Sequence, residues 1–271
     1  MNQTLALYQV DAFTSSLFGG NPAAVVPLQE WPSDKLLQQI ARENNLSETA
    51  FIVAEGDGYG LRWFTPAVEV DLCGHATLAT AHVLFRHLDF NKERIIFQTR
   101  SGQLQVSRER DLYVMDFPAD KPKSYDARLL PENLMGSEPE AVYDARYLMT
   151  IYPHQASLEN LRPDFRTMAS LPWLGVIATA PADSPDLDFV SRFFCPKAGI
   201  DEDPVTGSAH TILTPYWAER LNKNALYAKQ ISHREGNLLC TLNHDRVLLK
   251  GQAVTYLKGE ISIPQIAEKT Y

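Results

Sequence analysis

The sequence predicts two similar α/β domains related by a pseudo-two-fold axis, and three observations carry that expectation. Arg62-Trp63-Phe64-Thr65-Pro66 is echoed 130 residues later by Arg192-Phe193-Phe194-Cys195-Pro196. Each copy is followed by an acidic loop, a glycine and a buried-looking helix. Upstream, a helix at 33–43 and a strand at 49–54 match a helix near 163–171 and a strand at 175–180. A period this long marks duplication of a whole supersecondary unit. The expected domains are 1–118 and 119–271, divided by a linker at 118–122 carrying two prolines, with room for the last residues to pack back on the first domain.

The elements follow from periodicity. Residues 5–13 alternate loosely and form a strand. Gly19-Gly20-Asn21-Pro22 is a turn, followed by a short apolar strand at 23–27. Ser33 caps the helix at 33–43, whose Leu36, Leu37 and Ile40 share a face. Strands are expected at 49–54, 59–64, 95–99, 103–108 and 113–117. The segment 76–88 is apolar nearly all round, with Leu78, Ala79, Ala81, Val83, Leu84, Phe85 and Leu88, so it belongs inside the molecule. Its counterpart carries Ile212, Leu213, Tyr216, Trp217 and Leu221.

Composition excludes several classes. A formal net charge of −8 offers nothing to a polyanion, so no nucleic acid is expected. The first residues have no basic segment followed by a long apolar run, and no apolar stretch reaches the about 18 residues of a membrane helix. The expectation is a cytoplasmic protein with no membrane association. Cys73, Cys195 and Cys240 are far apart and odd in number, which suits neither a zinc framework nor disulfides. No P-loop, Gly-x-Gly-x-x-Gly or Gly-x-Ser-x-Gly segment is present, and His75 and His82 do not share metalloprotease spacing, so no cofactor and no metal are expected.

The layout permits a particular chemistry. Gly74-His75 and Gly207-Ser208 each open a buried helix, where backbone N–H groups and the helix dipole favour an anion. Facing each other across a cleft, two such ends would hold a small carboxylate. The commoner arrangement is a pair of ordinary helix starts capped by Asp203 or Ser208. Glu48 sits at the mouth of an apolar strand, where shielding from water would raise its pKa toward that of a proton shuttle. The commoner arrangement there is a solvent-facing glutamate. His75 is a candidate for proton exchange or hydrogen bonding, against a core histidine bonded to a carbonyl.

Asn45-Leu46-Ser47-Glu48-Thr49-Ala50-Phe51, Cys73-Gly74-His75-Ala76-Thr77-Leu78-Ala79 and the run from Asp201 to His210 closely resemble the phenazine-biosynthesis isomerase-like (PhzF-like) family, and Gly19 to Val26 fits its first turn. The resemblance spans nearly the whole chain in order. It implies an α+β fold shared with diaminopimelate epimerase: two pseudo-symmetric domains, each an incomplete β-barrel around a central helix. It implies Glu48, His75 and Asp203 as catalytic residues, and Gly74, Gly207 and Ser208 as substrate-binding residues. It also implies a homodimer. Diaminopimelate epimerase uses two opposed cysteines; here Cys73 matches the first and Thr206 stands at the second, so a two-thiol racemase is not expected and Cys73 is a packed bystander.

The expected activity is therefore a cofactor-independent isomerase that relocates a proton on a small, unsaturated or cyclic carboxylate. The alternatives are an epimerase or racemase of an amino or hydroxy acid, and a non-catalytic binding protein that kept the fold. The pattern Pro215-Tyr216-Trp217-Ala218 belongs to a broad branch of the family, so a phenazine precursor is not carried over as the substrate.

Overall fold

The computed structural model describes residues 2–264. Contacts divide it into two compact units. One comprises the chain up to Phe18, then Pro22–Met115, then the residues from Gln252 on; the other comprises Gly19–Asn21 and Asp116–Gly251.

In the first unit the Gly74–His87 helix packs against the strands Asn2–Ala12, Glu48–Glu55 and Ala253–Pro264. Residues 75–84 are all buried, which follows from a helix with no polar face. Asn21–Leu28 runs parallel to Glu48–Glu55, which pairs antiparallel with Gly58–Phe64. Gly58–Phe64 runs parallel to Arg94–Thr99, which continues antiparallel through Gly102–Glu109 to Leu112–Pro118. The strand Ala253–Pro264 closes on Asn2–Ala12, from Asn2 opposite Pro264 to Ala12 opposite Ala253. Thr255 of that strand lies 2.8 Å from His82 Nε2 and 2.7 Å from His87 Nε2, so one hydroxyl pins the closing strand to two turns of the central helix.

The second unit repeats the pairing order. Leu148–Ile151 runs parallel to Val176–Pro181, which pairs antiparallel with Phe189–Cys195; that strand runs parallel to Ala225–Gln230, followed antiparallel by Gly236–Asn243 and Arg246–Gly251. The Gly207–Leu221 helix packs against the last three. Lys123–Tyr125 and Ala141–Asp144 extend the sheet beyond Leu148–Ile151.

Ser33 caps the Asp34–Asn44 helix as expected, accepting from Leu36 N. The helix expected near 163–171 is Phe165–Ala169, with Asp164 as its cap. The acidic segments expected as loops contain short strands instead, Glu69–Val70 and Ile200–Asp203. The reason is charge neutralisation across the hairpin. Arg62 forks onto Glu69 at 2.7 Å through both Nε and Nη2, and Arg192 forks onto Glu202 at 2.8 Å in the same way. Each guanidinium also lies over the neighbouring aromatic ring, Arg62 over Phe64 and Arg192 over Phe194. The repeated Arg-aromatic-Phe segment is thus a repeated hairpin clamp. The segment expected as a linker is partly strand: Pro118 ends Leu112–Pro118, and Ala119 N donates to Asp245 O. Among the described residues no helix is long and apolar enough to cross a membrane.

Gly175 enters the second unit's Val176–Pro181 strand where a Cβ would sit 2.8 Å from Phe194 O and 2.6 Å from the Phe193 ring. That carbonyl belongs to the paired strand and cannot retreat. Gly175→Ala is expected to destabilise the protein by about 1–3 kcal/mol, measured as a lower denaturation midpoint.

Candidate active site

Glu48 is placed by a forced reversal of the chain. The Asp34–Asn44 helix ends at Asn45 in a left-handed conformation, φ 50°, with its N–H on Ala41 O. Asn44 Nδ2 then donates to Thr49 Oγ1 at 3.1 Å, which fixes where the next strand begins. Along that strand Phe51 and Val53 pack with Leu37 and Ile40 of the helix. The alternation of a strand turns Glu48 to the other face. There its Oε2 stands 3.1 Å from His75 Nε2, with side-chain exposures of 13% and 6%. Glu48 Oε2 is buried and receives no aligned hydrogen bond from the described residues.

His75 is the second residue of the Gly74–His87 helix, and Cys73 is its N-cap, in an extended conformation that provides no side-chain cap. Cys73 Sγ lies 3.5 Å from His75 Nδ1 and 4.0 Å from Nε2. Sulfur, imidazole and carboxylate therefore form one buried cluster, with a donor atom from each within 4.8 Å of the others. Burial pushes the Cys73 thiol up to about 11, and the Glu48 charge adds to the effect, so the thiol keeps its proton at neutral pH. Burial disfavours the His75 cation, but the sulfur and the Glu48 carboxylate on either side overcome it and hold its pKa well above the usual histidine range. With the thiol protonated, the carboxylate is the charge that stabilises the imidazolium.

The other expected residues gather in the second unit. Thr206 is the N-cap of Gly207–Leu221 and makes no side-chain cap. Its hydroxyl donates to the Asp203 carboxylate, and its N–H donates to Gln230 Oε1 at 2.8 Å. Gln230 Nε2 returns to Asp203 O at 2.7 Å. Asn21 Nδ2 reaches Asp203 Oδ1 at 2.8 Å and Val205 O at 3.0 Å. Both Asp203 oxygens are thus engaged, and the carboxylate braces the turn that leads to Gly207. Neither Asp203 nor Ser208 caps the helix in the ordinary way. Ser208 Oγ instead pairs with Tyr147 OH at 3.1 Å, and buried Tyr147 packs edge-on against Phe193.

Glu48, Gly74 and His75 therefore come together in one unit, and Asp203, Gly207 and Ser208 in the other. The contact of Cys73 with His75, and the roles of Asn21, Tyr147 and Gln230, were missed. Cys73 was within reach: a residue two before a histidine at a helix start can fold back on it. Asn21, Tyr147 and Gln230 carry no local signal.

The His75–Glu48 pair has a fixed sign. A histidine pKa raised on folding stabilises the fold fully below the unfolded value, about 6.5, and that stability is lost as pH rises through the raised folded value. In Glu48→Gln the carboxylate is gone and burial dominates. The His75 ring-proton NMR midpoint is expected to fall by about one unit or more.

Residues 10–259 match the family model for phenazine biosynthesis-like proteins. An uncharacterised isomerase of Pseudomonas aeruginosa is 50% identical over 260 residues, 96% of this chain and 99% of that protein. The crystal structure of a PhzF-family phenazine biosynthesis protein from Enterococcus faecalis superposes with a TM-score of 0.92 at 45% identity, covering 96% of this chain and 99% of that one. A hydroxyproline epimerase from Agrobacterium vitis shares the fold alone, with a TM-score of 0.64 at 8% identity over 96% of this chain and 93% of its own.

Proposed function

The chain is an isomerase-type enzyme of the phenazine biosynthesis-like (PhzC-PhzF) family, and on that premise we propose that it relocates a proton on a small unsaturated or cyclic carboxylate, with Glu48 as the acid/base group. The observation that carries this is Glu48 Oε2: buried, without an aligned hydrogen bond, and 3.1 Å from an imidazole. A carboxylate oxygen in that state has a lone pair to offer and a cation beside it.

Glu48 takes a proton from an activated carbon and returns it to another atom on the same face of the substrate. The pair's electrons pass into the substrate's own conjugated system, so the step needs no cofactor. The His75 imidazolium hydrogen-bonds a substrate oxygen where negative charge grows, which lowers the barrier electrostatically. Gly74, Gly207 and Ser208 are the proposed substrate-binding groups, on the strength of the family resemblance. Asp203 acts through the turn it braces. Cys73 beside His75 is the one feature that favours an epimerase of an amino or hydroxy acid. Turnover in D₂O separates the two, because an epimerase inverts the carbon that takes up deuterium.

Positioned acid–base catalysis is worth about 10²–10⁴-fold. Glu48→Gln keeps shape and folding and is expected to lose at least that factor in turnover, while Cys73→Ala loses far less. Near-native turnover by Glu48→Gln would falsify the mechanism.

A homodimer is part of the proposal. Leu17, Phe18, Tyr256 and Leu257 are large apolar residues left 41–69% exposed on the first unit, and Phe18 and Tyr256 meet edge to face at 5.8 Å. The double variant Phe18→Ser, Tyr256→Ser is expected to shift the mass in light scattering from dimer to monomer at micromolar concentration. A wild-type monomer at that concentration removes this part.

A further inference from the structure

We propose that Cys73, His75 and Glu48 also form a binding site for one thiophilic divalent cation, of the class of Zn²⁺, and that occupancy by the cation arrests the proton transfer.

The donor set is the first ground. A thiol sulfur, an imidazole nitrogen and a carboxylate oxygen converge within 4.8 Å, all on side chains that are buried or nearly so. Three protein ligands is the donor count of a reactive zinc site, where a structural site has four. The spacing is the second ground. Zinc bond lengths of about 2.0–2.3 Å put tetrahedral donors about 3.4–3.6 Å apart. His75 Nε2 lies 3.1 Å from Glu48 Oε2 and 4.0 Å from Cys73 Sγ. The three donor atoms all lie within 4.8 Å of one another, so side-chain rotation has to draw them together by about an ångström to reach that spacing.

Selectivity follows from the surroundings. The cluster sits at the start of the Gly74–His87 helix, whose dipole opposes a cation. Two anionic ligands, the Glu48 carboxylate and the Cys73 thiolate, offset that, whereas a hard ion would rely on the single carboxylate. Zn²⁺, Cd²⁺ and Co²⁺ are thus favoured over Mg²⁺ and Ca²⁺.

The exchange balances without redox chemistry. As the metal–sulfur bond forms, the Cys73 S–H proton leaves to solvent. As the metal–nitrogen bond forms, the His75 imidazolium gives up its Nε2 proton. Glu48 exchanges its ion pair with His75 for a bond to the metal. The cation thus takes the place of the protons on its ligands. The arrest rests on the isomerase proposal, because it works by occupying the Glu48 lone pair; the binding does not.

The test uses the full-length protein stripped with a chelator and titrated anaerobically with Co²⁺. The expected result is a near-ultraviolet thiolate-to-cobalt band that saturates at one equivalent and is displaced by Zn²⁺. Cys73→Ser is expected to abolish the band, and His75→Gln and Glu48→Gln to weaken binding by about tenfold or more. Circular dichroism checks that each variant is folded. Absence of the band, or its persistence in Cys73→Ser, overturns the site. Isomerase turnover is followed in parallel, and it is expected to fall in proportion to Zn²⁺ occupancy. Full occupancy with undiminished turnover overturns the arrest and the role of Glu48 while leaving the site standing.

Discussion

A helix with no polar face has to be enclosed, and this structure is built on that necessity twice. The Gly74–His87 and Gly207–Leu221 helices bury residues on every side, so strands must cover each from several directions. Their composition makes the enclosure possible. Ala76, Ala79 and Ala81 let strands approach closely, and Thr77, Thr80 and Thr214 satisfy their hydroxyls on carbonyls one turn back. An enclosed helix must also begin somewhere inside. Neither Cys73 nor Thr206 caps its helix with a side-chain oxygen, so each first turn lies in a setting shaped by neighbouring side chains rather than by its own cap.

The two units share a pairing order but have diverged in what stands at that first turn. The second helical residue is His75 in one and Ser208 in the other, and each is met at 3.1 Å by a side chain from outside the helix, Glu48 at the start of a strand and Tyr147 just before one. In the first unit the partners are an imidazole and a carboxylate, an ion pair when the ring is protonated. In the second they are the hydroxyls of Ser208 and Tyr147. The duplicated scaffold thus hosts one imidazole–carboxylate pair and one pair of hydroxyls.

What the sequence showed and hid follows physical distance along the chain. The Ser33 cap, the all-round apolar helices and the strand behind Glu48 depend on residues within a turn or two, and local pattern carries them. The repeated Arg-aromatic-Phe segment was visible as a repeat, but its meaning was not. Glu69 and Glu202 look like solvated loop residues until the guanidinium that neutralises each is placed across the hairpin. The brace on Asp203 was beyond reach for the same reason. Asn21 lies 182 residues away, and nothing in Gly-Gly-Asn-Pro announces its partner. Cys73 reads as a packed bystander when its thiol is considered alone, and it is indeed buried. Two residues on, His75 turns back toward it, and a sulfur beside an imidazole is no longer a bystander in the electrostatic sense.

The threading of the two units has a consequence for how the protein is made. The strand Asn2–Ala12 pairs along its whole length with Ala253–Pro264, while most of the second unit lies between them in the chain. During synthesis the first strand leaves the ribosome long before this partner exists, although its other neighbour, Asn21–Leu28, follows at once. Residues 22–115 of the same unit emerge next and then the bulk of the second unit, which is complete before the closing strand is made. The first-made unit is therefore the last to be finished, and until then it presents an open edge and a half-covered central helix. Nascent chains arrested before Ala253 would be the species most in need of a chaperone.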